Sequence, residues 1–229
     1  MTTLLIRLAG PMQAWGAASR FARRDTRQEP TKSGVIGLLA AAQGRRRSDP
    51  IEDLAQLSFG VRVDQPGRLL RDFQVAVRPT DGQSMPLSYR YYLADAVFLA
   101  AVTGPQGVID GLADALLRPT FPLYLGRRSC PPSRPLYIDT VDLSVSDALS
   151  DAPWEASQWY RRRQPKTLSL RAVLDAAESA GGDLVRDHPV SFDPERRLYG
   201  WRSVVEQWVP IDNPAGTGGH DVMAALGGA

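Results

Sequence analysis

Arginines and aromatic residues are interleaved in one polar segment near the start of the chain. Arg20, Arg23, Arg24 and Arg27 lie there, close to Trp15. Guanidinium groups bind phosphates and aromatic rings stack on bases, so this mixture is typical of a site for a single RNA strand. The same residues would also suit a solvated loop with Trp15 packed in the core. The sequence alone leaves both interpretations open.

Two further segments offer phosphate contacts of a different kind. Lys32, Ser33 and Gly34 stand where a helix is predicted to begin, and the free backbone N–H groups of a helix start attract anions. Arg127 and Arg128 follow an apolar run, between a glycine that allows close backbone approach and a serine hydroxyl. The first segment could equally be an ordinary helix end without a ligand. The second could equally be a rigid, proline-containing surface loop.

The arm at residues 88–93 alternates tyrosines with other side chains. Arg90 lies between Tyr89 and Tyr91, and Arg71 and Arg78 come shortly before it. Arginines among aromatic rings suit a contact with nucleic acid. Tyrosines at every other position are equally typical of packing within a sheet.

Residues that usually carry catalysis are few and isolated. His188 and His220 have neither metal-ligand spacing nor a neighbouring nucleophile, and Cys130 has no patterned histidine partner. The sequence contains no P-loop, nucleophile elbow or zinc-protease motif. We therefore expect a binding function, without a catalytic residue, a metal or a cofactor.

Composition indicates a globular chain with a local excess of positive charge. Its 229 residues are 43% hydrophobic and 23% charged, with a net charge of +2. Residues 1–47 nevertheless hold nine basic and two acidic side chains, which suggests a polyanion site. One cysteine excludes an internal disulfide, and no apolar run approaches the roughly 20 residues of a membrane span. We expect a cytoplasmic protein without a membrane contact.

Hydrophobic periodicity and turn residues predict the elements that position these side chains. Their order in residues 1–125 is strand, helix, strand, strand, helix, strand, which is the ferredoxin-like or RRM-like split βαβ fold of the α+β class. Ser33 and Asp49 are expected to cap the first two helices. The predicted strands are 3–9, a hairpin of 59–63 with 73–77, an arm at 88–102 that runs into the core, and 121–125; the helices are 34–43, a short one after Asp49, and 108–116.

Residues 126–212 are expected to form a mostly β C-terminal region packed on the 1–125 domain. A helix is predicted near 154–163, with strands near 168–173 and 198–210. His188 precedes Pro189 and is therefore placed in a turn. The glycine-rich residues 213–229 are expected to be a flexible tail.

Four segments carry a more distinctive pattern: 8–16 (Leu-Ala-Gly-Pro-Met-Gln-Ala-Trp-Gly), 30–39 (Pro-Thr-Lys-Ser-Gly-Val-Ile-Gly-Leu-Leu), 91–96 (Tyr-Tyr-Leu-Ala-Asp-Ala) and 124–131 (Tyr-Leu-Gly-Arg-Arg-Ser-Cys-Pro). In this order they resemble the subtype I-E members of the fifth Cas protein family, which belong to the CRISPR Cascade surveillance complex. The likeness spans about residues 3–210.

The resemblance implies an RRM-like core with an inserted β-hairpin thumb at about residues 68–93. It implies a non-catalytic subunit that binds CRISPR RNA, caps its 5′ handle and contacts the backbone subunit CasC and the large subunit CasA, with target DNA nearby. Some relatives cut RNA, so a metal-independent endoribonuclease acting on repeat RNA is the alternative, and a mainly architectural subunit is a third. The residues assigned to RNA are Gln13, Trp15, Arg20, Arg23, Arg24, Lys32, Ser33, Gly34, Arg78, Arg90, Gly126, Arg127, Arg128 and Ser129.

Overall fold

A computed structural model describes residues 1–16, 23–177 and 181–217 of the chain. These ranges form a mixed α+β structure in which strands predominate. In the described part of the chain, no helix is long and apolar enough to cross a bilayer. The elements are β1 (Thr2–Ala9), β2 (Met12–Gln13), β3 (Arg23–Arg24), α1 (Lys32–Ala42), α2 (Glu52–Ala55), β4 (Ser58–Gln65), β5 (Arg68–Gln74), β6 (Ser88–Ala94), β7 (Val97–Gly104), α3 (Gln106–Leu117), β8 (Tyr137–Val141), α4 (Val145–Asp151), α5 (Gln158–Arg161), β9 (Thr167–Ala176), β10 (Asp183–Ser191) and β11 (Leu198–Asp212).

Seven strands form one antiparallel sheet in the order β10-β11-β9-β4-β7-β1-β8. The continuous apolar run of β1 is buried on both faces of this sheet, as predicted. Leu4, Ile6 and Phe98 pack against α1 and α3 on one face, whereas Leu5 and Leu99 pack against α4 on the other. The sheet therefore has a hydrophobic core on each side.

A fully buried ion pair fastens β4 to the segment after α4. Arg62 Nε lies 2.7 Å from Asp64 Oδ1, and the Arg62 guanidinium also donates to the carbonyls of Ala152 and Pro153 at 2.8 Å each. Asp64 Oδ2 accepts from the Glu155 N–H at 2.6 Å. The alternation of apolar and polar residues at 59–63 is typical of a half-buried strand, but β4 is buried on both faces because this segment covers its polar side.

The helix starts differ from the predicted ones. Thr31, not Ser33, caps α1: its backbone is extended, and its hydroxyl accepts from the Gly34 N–H at 3.2 Å. Asp49 does not cap α2, because its carboxylate accepts instead from the Arg46 N–H at 2.7 Å and closes the preceding turn. The predicted helix at 108–116 is observed as α3.

The predicted hairpin of 59–63 with 73–77 is wrong. β4 pairs with β7 and β9 inside the large sheet. β5 pairs instead with β6, from Arg68 opposite Ala94 to Gln74 opposite Ser88. The physical reason is burial: β4 is covered on both faces, on its polar side through the Arg62–Asp64 ion pair, while β5 is exposed along nearly its whole length. β2 and β3 join β6 to complete the smaller sheet.

The predicted strand at 121–125 is also wrong, and β8 takes its place beside β1. Residues 121–125 are apolar because Leu125 is buried in the core, not because they pair in a sheet. The Leu125 N–H donates to the Cys130 carbonyl at 2.7 Å, and the Leu125 carbonyl accepts from the Ala14 N–H at 3.1 Å. These bonds build a loop.

The C-terminal region, residues 126–212, contributes four strands, β8 to β11, to the large sheet. The strands predicted near 168–173 and 198–210 are observed as β9 and β11, which pair along ten residues. The predicted helix at 154–163 is confined to α5. His188 and Pro189 lie in β10, not in a turn. β10 is an edge strand, and an edge tolerates a proline because one side of the strand makes no ladder bonds.

Candidate nucleic-acid interface

A groove of about 1630 Å³ opens beside α1. Its lining combines the small residues of one α1 face, including Gly34, Gly37 and Ala41, with a large number of arginines. Asp25 is the one acidic residue lining the groove in the described part of the chain. The lining arginines are Arg24, Arg45, Arg46, Arg47, Arg127, Arg128, Arg186 and Arg197.

Most of these arginines have no carboxylate partner among the described residues. Arg45 is held by both carboxylate oxygens of Asp53, at 2.6 and 2.5 Å. Across the described ranges, the other seven groove arginines have no carboxylate oxygen within 4.0 Å. A cleft lined by charge of one sign concentrates the field and attracts ligands of opposite charge. The groove therefore carries an excess of positive charge.

Arg127 is the most precisely held member of a first arginine group, which consists of Arg24, Arg127 and Arg128. Its guanidinium lies over the Tyr92 ring, 4.5 Å from the ring centre. Arg127 Nη2 donates to the Arg24 carbonyl at 2.8 Å. Its Nη1 is buried, and no hydrogen-bond partner for it exists among the described residues. The Tyr92 ring and the Arg24 carbonyl thus fix the orientation of this cation.

Gly126 shapes the loop that carries this group. Its φ is +83°, and a Cβ at this position would lie 1.8 Å from the Ala14 carbonyl oxygen. Cys130 closes the loop by donating its N–H to the Arg127 carbonyl at 2.8 Å. The glycine thus allows close approach of the protein's own backbone, which places Arg127 and Arg128 beside the groove.

A second arginine group, consisting of Arg46, Arg47, Arg186 and Arg197, was not assigned from the sequence. Arg46 and Arg47 follow α1, while Arg186 and Arg197 belong to β10 and the turn before β11. The run of three arginines at 45–47 is the one signal in the sequence that would have indicated half of this group. Nothing local marks the other half.

Gln13 and Trp15 lie beneath the groove in the core. Gln13 Nε2 donates to the carbonyls of Leu8 and Ala96, at 2.9 and 2.8 Å, and its Oε1 accepts from Trp15 Nε1 at 3.0 Å. The Trp15 ring packs under Gly34, where a Cβ would come within 2.7 Å of it. Both side chains are buried. They support the groove from below, and the core alternative stated for Trp15 is the observed one.

Lys32 is engaged by carboxylates of the chain itself. Its Nζ lies 2.9 Å from Asp175 Oδ2, and its backbone N–H donates to Asp187 Oδ2 at 2.9 Å. Thr31 already accepts from Gly34, and Ser33 is buried beside it. The Lys32 ammonium, the Lys32 N–H and the Gly34 N–H are therefore all engaged within the protein.

The same carboxylates hold β10 and β11 against α1. Arg202 Nε lies 2.6 Å from Asp187 Oδ1, and Arg202 Nη1 lies 2.6 Å from Asp175 Oδ1. His188 lies beside this network, and burial lowers its pKa, with the positive charge of Lys32 adding to the effect. Arg186 lies in β10 and Arg197 in the turn between β10 and β11. The network therefore positions half of the second arginine group.

The remaining predicted residues lie away from the groove. Arg23 is exposed, pairs with Asp25 at 2.9 Å and lies over the Tyr91 ring. Arg78 is near the tip of the β5–β6 hairpin, 2.8 Å from Asp81. Arg90 is on β6, and its Nε is buried without a partner in the described chain.

Half of the predicted residues line the groove, and Ser129 is not among them. Ser129 is exposed, and its hydroxyl lies 3.8 Å from Cys130 Sγ. Arg20 lies outside the described residues. Of the predicted set, the structure brings seven to the groove lining, namely Trp15, Arg24, Ser33, Gly34, Gly126, Arg127 and Arg128. Within the described ranges, no three His, Cys, Asp or Glu side chains converge in a way that would hold a metal ion.

Comparisons with known proteins agree over most of the chain. The family model described as CRISPR-associated protein (Cas_Cas5) matches residues 3–205. CRISPR system Cascade subunit CasD of Escherichia coli (strain K12) is 37% identical over 161 residues, which is 62% of this chain and 72% of that protein.

Two solved structures resemble the whole chain. One, described as a crystal structure of Cas protein, is 40% identical with a TM-score of 0.72 and covers 95% of this chain and 98% of its own. Another, from a CRISPR RNA-guided surveillance complex, is 34% identical with a TM-score of 0.76 and covers 98% and 97%. With the family model matching nearly all of the residues that build the fold and the groove, the chain belongs to the Cas5 family of CRISPR-associated proteins.

Proposed function

We propose that this chain is a non-catalytic subunit of a subtype I-E Cascade complex, in which it binds CRISPR RNA and caps the 5′ handle. The relatives support the setting, since one is a Cascade subunit and another comes from an RNA-guided surveillance complex. The observation that carries the RNA role is the groove, where seven arginines without carboxylate partners in the described chain surround one α1 face.

The strand order supports an RRM-like core. β4, β7, β1 and β8 are neighbours in that order, with α1 following β1 and α3 following β7. This is the arrangement of a split βαβ unit. β9, β10 and β11 extend the same sheet beyond β4, where they add Arg186 and Arg197 to the groove.

The β5–β6 hairpin is the proposed thumb that contacts neighbouring subunits and the guide. Its exposed apolar side chains include Phe73, Val75 and Val77, and Phe73 is 68% exposed. A contiguous exposed apolar surface of this kind marks an interaction site. We assign it to the CasC side of the protein, with CasA and the target DNA near the RNA handle.

The test is a binding experiment with the repeat RNA of its own CRISPR locus. Purified protein is titrated into labelled RNA with an intact or a scrambled handle, and the same samples are run on a denaturing gel. We expect handle-dependent binding without cleavage. Arg127→Glu/Arg128→Glu should weaken binding at least tenfold, while Arg162→Glu/Arg163→Glu, an equal charge change just after α5 and outside the groove, should not.

A discrete cleavage product that persists in EDTA would overturn the non-catalytic assignment in favour of an endoribonuclease. Unchanged binding by Arg127→Glu/Arg128→Glu, with an intact fold, would overturn the assignment of the groove. Normal assembly of a variant that no longer binds the handle would favour the architectural alternative.

A further inference from the structure

The second arginine group brings together residues that are far apart in sequence. Arg46 and Arg47 are about 140 residues from Arg186 and Arg197, yet all four line the same groove. Arg186 Nε donates to the Tyr199 carbonyl at 3.2 Å, which orients its guanidinium. In the described part of the chain none of the four has a carboxylate within 4.0 Å. Mutual repulsion disfavours such a cluster unless an anion binds to it.

The α1 face between the arginines has a different character. Gly34, Gly37 and Ala41 present little side-chain volume. The Phe192 ring lies close to Gly37, since a Cβ added at Gly37 would be 3.6 Å from the ring. Tyr124 also lines the groove. Flat, apolar groups fit on such a surface, and the α1 residues that line the groove offer no cationic side chain to a phosphate. The base side and the phosphate side of a nucleotide therefore have separate places in the groove.

We propose that the groove holds a single RNA strand with its bases against the α1 face and its phosphates on both arginine groups, the second group being a phosphate site of its own. This rests on the proposed function, since it takes the groove as the RNA site. It deepens that function by assigning four further binding residues and an orientation of the strand.

A single strand fits this arrangement and a duplex does not. In an A-form helix the bases are paired and stacked inside, and the deep major groove is closed to side chains. A duplex would place only its backbone against the groove and leave the α1 face without a partner. An unpaired strand presents both its bases and its phosphates.

The phosphate contacts are tested by salt titration of RNA binding. The variants are Arg46→Gln/Arg47→Gln and Arg186→Gln/Arg197→Gln, with Arg162→Gln/Arg163→Gln as the matched control outside the groove. For a single strand each phosphate contact contributes about 0.7 to the slope of log K against log salt, so each groove pair should reduce the slope by about 1.4 and the affinity at least tenfold. The control should leave both values unchanged.

The outcomes separate this inference from the proposed function. If both groove pairs bind like the wild type while Arg127→Glu/Arg128→Glu does not, the second group is not a phosphate site and the proposed function stands. If the wild type itself fails to bind repeat RNA, the proposed function fails. Equal affinity for a duplex of the same sequence would overturn the single-strand assignment.

The orientation of the bases is tested at Gly37. Gly37→Ala places a Cβ at an ordinary contact distance and serves as the control, whereas Gly37→Leu fills the α1 face. We expect the leucine variant to lose at least tenfold in affinity for the normal handle and less than twofold for an abasic handle. Equal loss for both RNAs would place phosphates on α1. If Gly37→Leu does not fold, the wild-type protein is instead compared on normal and abasic handles. We expect tenfold weaker binding of the abasic handle with an unchanged salt slope. Unchanged binding would overturn the proposal.

Discussion

Gly126 shows how strongly one backbone position constrains the groove. A methyl group there would lie 1.8 Å from the Ala14 carbonyl oxygen, at a φ of +83°. We expect Gly126→Ala to lower the free energy of unfolding by about 3 kcal/mol or more, since backbone strain and overpacking add. Urea unfolding measures this. Gly82 also has a positive φ but no atom within 4 Å of its Cβ position, so Gly82→Ala should cost only about 1–2 kcal/mol. Equal costs would show that the Ala14 contact is not the constraint.

His188 predicts a pH dependence of stability. Burial lowers the pKa of His188, with Lys32 contributing in the same direction. The unfolded chain therefore binds this proton more readily than the folded one, and stability should fall as the pH is lowered through about 6.5. Unfolding free energies at about pH 7.5 and 5.5 bracket that range. His188→Gln should flatten the difference between the two pH values; an unchanged difference would assign it to other groups.

At the scale of residues, contiguous patterns were informative and distant partners were not. Arg127 and Arg128 line the groove, and the sequence singles them out because a glycine, two arginines and a hydroxyl stand side by side. Lys32 looked equally suitable, but its backbone N–H is taken by Asp187, 155 residues away. No local spacing reveals such a partner. Arg186 and Arg197 were missed for the same reason, because the residues beside which they line the groove are distant in the sequence.

The β5–β6 hairpin is the element with the most exposed apolar surface. Gln74 and Ser88 form its last regular pair, so residues 75–87 can be replaced by Asn-Gly, the favoured two-residue turn. We expect the free energy of unfolding to change by less than about 1 kcal/mol, because the removed side chains are exposed. Handle binding should stay within twofold, while incorporation into the Cascade complex should fall.

A second variant separates the chemistry of the hairpin from its length. Val75→Thr/Val77→Thr keeps the hairpin but makes its exposed surface more polar. Reduced co-purification with the other subunits in both variants would identify the apolar contact as the cause. Assembly of the shortened variant at the wild-type level would contradict the role of this element as the thumb.

At the scale of elements, prediction worked where a segment's own pattern decided its structure. The apolar run of β1 and the helical spacing of α3 are local properties. The pairing of β4 was mistaken because two neighbouring strands suggested a hairpin, whereas burial on both faces placed β4 between β7 and β9. Residues 121–125 form a loop in which Leu125 is buried in the core. Hydrophobic periodicity does not distinguish such a loop from a short strand.

The large sheet joins the two halves of the chain into one hydrogen-bonded unit. β8 and β9 lie against β1 and β4, and Arg62 donates to the carbonyls of Ala152 and Pro153. We expect one unfolding transition, with tryptophan fluorescence and circular dichroism changing together. A fragment of residues 1–125 should not fold, because the sheet face that carries Leu5 and Leu99 would lose α4 and be exposed to water. Two separated transitions, or a folded fragment, would contradict this.

The single cysteine gives the molecule a practical property. Cys130 is buried, and burial raises the pKa of its thiol. Alkylating reagents attack the thiolate, so this side chain should react slowly. A cysteine introduced at the exposed Val77 would then take a fluorophore almost alone, with no need to mutate Cys130. Such a dye would test the proposed thumb in real time, since its emission should change during assembly of the complex if a partner covers the hairpin.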